Sequence, residues 1–276
     1  MVLRSLPSAL TARTRALYLL VLVLVLVVTH YAQRALSAML ALPQQAQRWR
    51  LLQKERAAYG ALLEASANYM AGRFLRARKA AESVIEREKA LAQAGGTLEH
   101  APSLKALAHV MVAEAAHALQ DKATRQAHLE LALQEAQVGT TSVRQTLKEG
   151  SLLRAARWSL DDRDAQTSLQ WLDQLPQGVA RRTVAMRLRL KASRLAERPA
   201  QALDTALLLA KHRAFSVEAA DTVVRGLVLD LLARTYETGQ LQRVWNSLAS
   251  AQRLMPELAV QAAQRWLTLQ GDASVA

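Results

Sequence analysis

Cysteine is absent from the chain, aromatic residues make up only 4% of it, and its 276 residues include just 10 glycines and 6 prolines. Without cysteine there are no disulfides, thiolate nucleophiles, iron–sulfur clusters or cysteine-ligated zinc. β-Branched residues rarely cluster after the first thirty positions, whereas Ala and Leu dominate, which favours helix over strand. The 51% hydrophobic content is enough for a buried core. We therefore expect an all-α protein.

Acidic residues are scarce at the amino terminus. The formal net charge is +13, and residues 1–60 hold eight basic side chains against one acid. Positive charge concentrated beside an apolar segment indicates contact with anionic lipid headgroups rather than nucleic acid. A basic stretch at 181–194 would be the RNA-binding candidate, but aromatic residues are not interleaved in it. We do not expect nucleic acid to be a partner.

Residues 16–32 are largely apolar and carry no charge unless His30 is protonated, and they lie between Arg15 and Arg34 with Tyr18 and Tyr31 near the ends. Seventeen residues can cross a bilayer, particularly if the helix continues through an amphipathic extension to Pro43. A cleaved signal peptide is the alternative, although no small-residue cleavage site follows closely. The chain then divides into a basic segment (1–15), a transmembrane helix with its extension (16–42), a repeat domain (43–271) and a tail (272–276).

Amphipathic stretches with short polar, Gly or Pro interruptions predict five helical hairpins and a final helix. The predicted helices are 44–71, 74–94, 103–119, 122–137, 142–160, 165–175, 179–196, 200–212, 217–238, 241–254 and 257–269. Turns within hairpins are expected near Gly72, Asp121, Asp162, Arg198 and Gly239, about 36 to 49 residues apart. This spacing fits either tetratricopeptide-like or HEAT-like repeats.

The first turn favours the tetratricopeptide alternative. Gly72, Phe74 and Ala77 match its G-x-[FY]-x-x-A pattern, in which Gly makes a tight turn, the aromatic ring packs between two helices and Ala permits their close approach. The equivalents near Ala165 and Gly239 are degenerate. The expected fold is an N-terminal transmembrane helix followed by a tetratricopeptide-like α-solenoid, in which Trp158, Trp171, Trp245 and Trp266 pack in hairpin cores.

Short stretches in order along most of the chain, from about residue 16, carry a resemblance to a known family. They are Leu42-Pro43, Arg56-Ala57-Ala58-Tyr59, Gly72-Arg73-Phe74 with Ala77, Lys79-Ala80-Ala81, Ala113-Glu114-Ala115-Ala116 and His128-Leu129-Glu130, and more weakly Leu209-Ala210-Lys211, Trp245 and Met255-Pro256-Glu257. On these residues the chain resembles the amino-terminal domain of the HemY proteins of proteobacteria. The resemblance implies a bacterial inner-membrane protein with cytoplasmic tetratricopeptide repeats, linked to porphyrin and haem metabolism. HemY proteins usually have two transmembrane helices and further carboxyl-terminal repeats, so this chain departs from the pattern at both ends.

Motifs of catalysis are missing: the chain has no Walker loop, H-E-x-x-H, G-x-S-x-G or G-x-G-x-x-G. The acidic run at 161–164 is interpreted as a helix start, where carboxylates cap free N–H groups, rather than as a metal site. His109, His117 and His128 could suggest haem ligation, but packing histidines are the more frequent case. We expect neither an enzyme nor a resident cofactor, although porphyrin or haem binding stays open.

Basic residues recur on the first helices of two neighbouring hairpins. Arg154 and Arg157 are expected beside Arg187, Lys191 and Arg194, whose i, i+4, i+7 spacing puts them on one helical face. The same projection brings three more residues towards this groove: Tyr69, His117 and Tyr236. Such a face can bind carboxylates of an acidic peptide or a porphyrin. It can equally be a solvated basic surface.

These observations predict a membrane-anchored scaffold that binds protein partners through the concave surface of its repeats. By resemblance, those partners would include haem-biosynthesis enzymes. The alternative is a porphyrin-handling or catalytic protein of a late step in the same pathway.

Overall fold

The computed structural model describes the backbone of residues 6–98, 100–137 and 142–275, and the side chains of 15–34, 49–98, 100–137 and 142–270. These residues form helices and connecting turns without a strand, which confirms the all-α prediction for the described ranges. The helices are α1 (Leu6–Met70), α2 (Phe74–Gln93), α3 (Ala101–Ala118), α4 (Lys122–Gln137), α5 (Ser142–Asp161), α6 (Ala165–Asp173), α7 (Gln177–Ala180), α8 (Thr183–Leu195), α9 (Pro199–Lys211), α10 (Val217–Ala233), α11 (Thr238–Ser247), α12 (Ser250–Arg253) and α13 (Pro256–Val275).

Helix α1 contains a segment that is long and apolar enough to cross a membrane, Arg15–Arg34, with a mean hydropathy of 2.1 and no part of it buried against the rest of the chain. The predicted helix start at residue 44 is wrong, because α1 continues through Pro43 to Met70. An internal proline removes one backbone hydrogen bond, whereas the Ala, Leu and Gln residues around it favour helix. The span and the first hairpin therefore share one helix.

Consecutive helices pack as antiparallel pairs, α1 with α2, α3 with α4, α5 with α6, and α8 with α9. The first helices also touch one another, α3 with α5 and α5 with α8. Alanine makes these approaches close: Ala58 and Ala65 of α1, and Ala77 and Ala81 of α2, have no solvent exposure. The small side chains let the helix backbones approach, so hairpins stack along the chain.

One turn geometry recurs at six helix ends among the described residues, and four of these turns lie within hairpins. Gly72, Gln120, Arg163 and Glu197 adopt positive φ angles of 70°, 63°, 62° and 55°. In each turn the next backbone N–H donates to a carbonyl five residues earlier, at 2.8 to 2.9 Å, which is the Schellman arrangement that ends a helix. The turns predicted near Gly72, Asp121, Asp162 and Arg198 are therefore present.

The fifth predicted turn is wrong. Gly239 lies in the first turn of α11, and the chain reverses instead after Arg234, which caps α10. The predicted helix over 241–254 is also interrupted, because Leu248 has an extended backbone, with a ψ angle of 142°, and its side chain is buried. Helices α11 and α13 pack against each other and on α10, so the carboxyl end is a helical cluster rather than another regular hairpin.

The core is divided along the stack. One cluster joins α1, α2 and α3 and another joins α5, α6 and α8, while the largest spans α8 to α13. Trp158 is almost fully buried, and Trp171, Trp245 and Trp266 pack half-buried against these clusters, as predicted. Because each cluster is shared by neighbouring helices, the side chains between α5 and α8 are held at fixed separations.

Candidate functional site

A groove with a volume of about 700 Å³ lies across α5 and α8, with edges formed by α3 and by the approach to α10. Five basic residues line it: Arg154, Arg157, Arg187, Lys191 and Arg194. We call this surface the cationic groove. All five were singled out from the sequence, and the structure brings them together because α5 packs on α8. Their role in binding stays a prediction.

Helical spacing explains why these charges face the same way. Arg154 and Arg157 are three residues apart on α5, whereas Arg187, Lys191 and Arg194 follow an i, i+4, i+7 pattern on α8. The opposite faces of both helices are apolar and buried, through Leu152 and Ala156 on α5 and Ala185 and Ala192 on α8. Burial of those faces turns the basic faces outward.

Among the described residues, a single carboxylate lines the groove. Glu114 of α3 forms an ion pair with the Arg154 guanidinium and accepts a hydrogen bond from the Tyr69 hydroxyl, at 3.2 Å. Burial and the Glu114 carboxylate raise the pKa of Tyr69 above its usual value of about 10, so the phenol stays neutral and donates. Tyr69 thus supports the edge of the groove by holding Glu114.

Arg187 is engaged by its own surroundings. Its Nη2 donates to the Ala214 carbonyl oxygen at 2.8 Å, and its guanidinium lies 6.0 Å from the centre of the Phe215 ring. The guanidinium still has N–H groups beyond the one used here. These contacts fix its position at the end of the groove nearest α10.

Three groove cations have no such partners. The side chains of Arg157, Lys191 and Arg194 are exposed, and they form no hydrogen bond or ion pair with the part of the chain that the structure describes. Bringing like charges together without counterions is unfavourable in free energy. Binding of an anion across α5 and α8 would relieve this repulsion.

The floor of the groove is apolar. The side chains that form it are Leu153, Val184, Leu188, Leu190, Phe215 and Val223. A floor of this kind offers a surface for burial of hydrocarbon, while the rim attracts carboxylates. The arrangement therefore suits a ligand that is both apolar and anionic.

Three of the predicted groove residues do not line it: Tyr69 reaches it only through Glu114, and His117 and Tyr236 lie elsewhere. His117 packs against Trp158, with ring centroids 5.7 Å apart, outside the groove lining. Its Nδ1 accepts from Arg125 at 2.9 Å, so its proton is on Nε2, which donates to Asp161 at 3.2 Å. His117 thus joins α3, α4 and α5 in a structural network.

Tyr236 is also outside the groove. It is 75% exposed beyond the end of α10, and the Arg265 guanidinium of α13 lies 5.9 Å from its ring centre. The projection that placed it in the groove assumed a regular fifth hairpin. Because α10 ends at Ala233 and α13 packs on it, Tyr236 faces α13 instead.

His109 and His128 contact each other between α3 and α4, with their Nδ1 atoms 3.0 Å apart. Burial and the adjacent His128 ring lower the pKa of His109 to about 4, and burial also lowers that of His128. Both rings are therefore neutral near pH 7, with one Nδ1 donating to the other. They pack as a neutral pair, in agreement with the interpretation as packing histidines.

The acidic run at 161–164 serves helix ends and inter-helix contacts. The Asp164 carboxylate caps α6 by accepting from the Thr167 N–H at 3.0 Å, which lowers the Asp164 pKa. Asp162 pairs with Lys122 and Arg125 of α4. Among the described residues, no group of three or more His, Cys, Asp or Glu side chains could hold a metal ion.

Sequence reasoning missed Glu114 and Phe215 as parts of this site. Glu114 is three residues before His117 and so lies one turn away on α3, where the same projection of first-helix positions could have found it. Phe215 is in the loop after α9, and its place depends on how that loop folds back on Arg187. No local pattern signals such a contact.

Over the residues that the structure describes, the fold and the site define an all-α protein with paired helices, one segment long and apolar enough to span a membrane, and a cationic groove across α5 and α8. Comparison with protein-family models, with curated proteins and with solved structures finds no significant match.

Proposed function

We propose that this protein is a membrane-anchored scaffold whose cationic groove binds an acidic, partly apolar segment of a partner protein. The observation that carries the proposal is the position of Arg157, Lys191 and Arg194, which lie unpaired above an apolar floor. Charge attracts the acidic residues of the segment, and burial of its apolar residues on the floor stabilises the complex. The proposed role of the groove is binding alone.

Anchoring through Arg15–Arg34 is the second part of the proposal. This segment is wholly exposed in the folded chain, which is costly for Leu and Val side chains in water and favourable in lipid. Its helix continues unbroken to Met70 and packs against α2 and α3. Cleavage as a signal peptide would cut that helix, so a retained anchor fits the fold better. The HemY resemblance adds the bacterial inner membrane and a cytoplasmic hairpin stack.

We also infer that the hairpins form a tetratricopeptide-like array. At the first turn Gly72 has a positive φ, the Phe74 ring packs edge-on against Tyr69 with centroids 5.6 Å apart, and Ala77 is fully buried. Each residue of the motif thus has the environment that the pattern requires. Packing of α3 on α5 and of α5 on α8 supports a continuous surface of first helices.

The second candidate function is porphyrin handling, in line with the metabolic context of the HemY resemblance. The observation that favours it is the combination of an apolar floor and a cationic rim within about 700 Å³, because a porphyrin has an apolar ring and carboxylate side chains. Titration of a free dicarboxylic porphyrin into the detergent-solubilised chain should shift and sharpen the Soret band if this function holds. An unchanged band would contradict porphyrin handling, so that protein binding is the remaining proposal.

The groove is tested by replacing Arg157, Lys191 and Arg194 together with Gln. This variant breaks no hydrogen bond or ion pair among the described residues, so the hairpins should stay folded. A matched control replaces three other exposed cations, Lys211, Arg243 and Arg253, and so changes the net charge equally. Crosslinking in intact membranes followed by mass spectrometry should then recover a reproducible partner from the wild type and the control but not from the groove variant.

If both variants recover the same partners, the cationic groove is not the binding site. If the wild type recovers no reproducible partner, the proposal that the protein is a scaffold is wrong. Salt supplies an independent check, since an electrostatic partner should be lost as ionic strength rises. Membrane placement is tested separately, by resistance of the full chain to carbonate extraction and by a reporter fused at residue 276.

A further inference from the structure

Beyond the apolar span, α1 has a row of exposed large apolar side chains: Trp49, Leu52, Tyr59, Leu63 and Met70. Their exposed fractions range from 41% for Tyr59 to 88% for Met70. We call this row the α1 stripe. It faces away from the buried alanines Ala58, Ala61 and Ala65, through which α1 packs against α2 and α3. Nothing in the described part of the chain covers it.

The stripe has the spacing of a coiled-coil seam. Steps of three and four residues from Trp49 give seven seam positions, of which five are the stripe residues and the other two are Arg56 and Ser66. A helix with 3.6 residues per turn keeps such a seam aligned only by winding around a similar helix. The pattern thus indicates a partner helix along this part of α1.

A charged pair at the centre of the stripe points to a second copy of the same helix. Arg56 occupies a seam position and Glu55 the flank beside it, and neither forms a hydrogen bond or ion pair with the described part of the chain. In a parallel pair of helices, the flanking residue of one lies next to the seam residue of the other. Two parallel copies would therefore pair Glu55 with Arg56 twice, once on each side.

We propose that the protein forms a homodimer in which the α1 stripes of two copies meet as a parallel coiled coil. The parallel direction rests on the proposed membrane anchoring, because two copies inserted the same way present α1 in the same direction. Three heptads are few for association in water, but confinement to the bilayer raises the local concentration of the two helices. The continuous helix carries that alignment from the span into the stripe.

The absence of cysteine makes the dimer directly testable. Single substitutions Leu52→Cys, Tyr59→Cys and Leu63→Cys place one thiol in the seam. The controls Gln53→Cys, Lys54→Cys and Glu64→Cys place it at exposed positions off the seam. Mild oxidation of the full-length protein in native membranes should yield disulfide-linked dimers for the first set, at least five times the yield of the second.

Equal yields in both sets, or dimers in neither, would overturn the proposal. A seam-specific adduct of another mass would do the same, since the stripe would then bind a different protein. Charge reversal gives a second readout: Glu55→Arg should reduce the Leu63→Cys dimer several-fold, and adding Arg56→Glu should restore it. Only protein that resists carbonate extraction is scored, so a failure of anchoring is recognised separately from a failure to dimerise.

Discussion

Asp162, in the turn between α5 and α6, accepts a hydrogen bond from Arg125 of the preceding hairpin, with 2.6 Å between Oδ2 and Nη2. The Arg125 guanidinium also lies 5.9 Å from the centre of the buried Trp158 ring. A similar contact links Arg78 of α2 to Asp121, at 3.2 Å. A polar contact at the turn thus joins each of these hairpins to the next.

Removal of the contact between Asp162 and Arg125 should destabilise the packing of neighbouring hairpins. We expect Asp162→Ala to lower the free energy of unfolding by about 1 to 3 kcal/mol, because it leaves the largely buried Arg125 charge without its carboxylate partner. The control Asp173→Ala removes a carboxylate that is 65% exposed, from its pair with Arg189, and should cost less than about 0.5 kcal/mol. Urea unfolding of the detergent-solubilised chain measures both. Equal costs would show that the turn contact adds nothing beyond a surface pair.

Arg163 offers the opposite test, because a side chain is strained at its φ of 62°. Glycine adopts this conformation without steric cost, so Arg163→Gly should raise the free energy of unfolding by about 0.5 to 1 kcal/mol. Arg163→Ala keeps the Cβ and should not stabilise. Thermal unfolding of the two variants under one condition separates them. A gain for both would trace the effect to the lost charge rather than to the backbone.

The turns show how far the sequence predicts this fold. Gly72 indicates a turn at its position, because glycine adopts a positive φ readily. Gln120 and Arg163 adopt the same conformation without any such signal, and their turns were located only through the pause in the apolar pattern and the acidic residues nearby. Gly239 has the residue type of a turn but lies in the first turn of α11, because a single glycine is tolerated within a helical segment.

The groove also has some residues that the sequence could place and others that it could not. Residues on one helix, such as Arg187, Lys191 and Arg194, could be placed on a common face because spacing alone determines it. Phe215 and Tyr236 could not be placed, since each depends on where a loop or a later helix packs. Helical periodicity reveals what a helix presents, while the neighbour that it meets is a tertiary property.

The histidine pair makes stability depend on pH. The His109 pKa falls to about 4 in the folded chain, through burial first and His128 second, against about 6.5 when unfolded. The unfolded chain therefore binds more protons between these values, and stability present above pH 6.5 is lost as the pH falls towards 4. The slope should stay below about 1.4 kcal/mol per pH unit for His109. The nearby Lys105 and Glu135 act on the His109 pKa in opposite directions.

Unfolding measured at pH 7 and pH 5 checks this dependence. His109→Leu should reduce it, whereas the exposed His212→Gln should leave it unchanged. A pH dependence that is identical in all three proteins would place its origin in other groups.

Glu114 is the carboxylate that weakens the attraction of the cationic groove for anions. Glu114→Gln keeps the shape of the side chain but removes its charge, so Arg154 becomes available and an acidic ligand should bind several-fold more tightly. The same change removes an anion that raises the Tyr69 pKa, so the alkaline titration of that phenol should move to lower pH. Glu86→Gln, an exposed change outside the groove, is the control for net charge and should alter neither property. Tyrosine absorbance and binding of a fluorescent acidic peptide measure the two effects independently. A shifted titration without tighter binding would mean that the groove charges do not contribute to recognition.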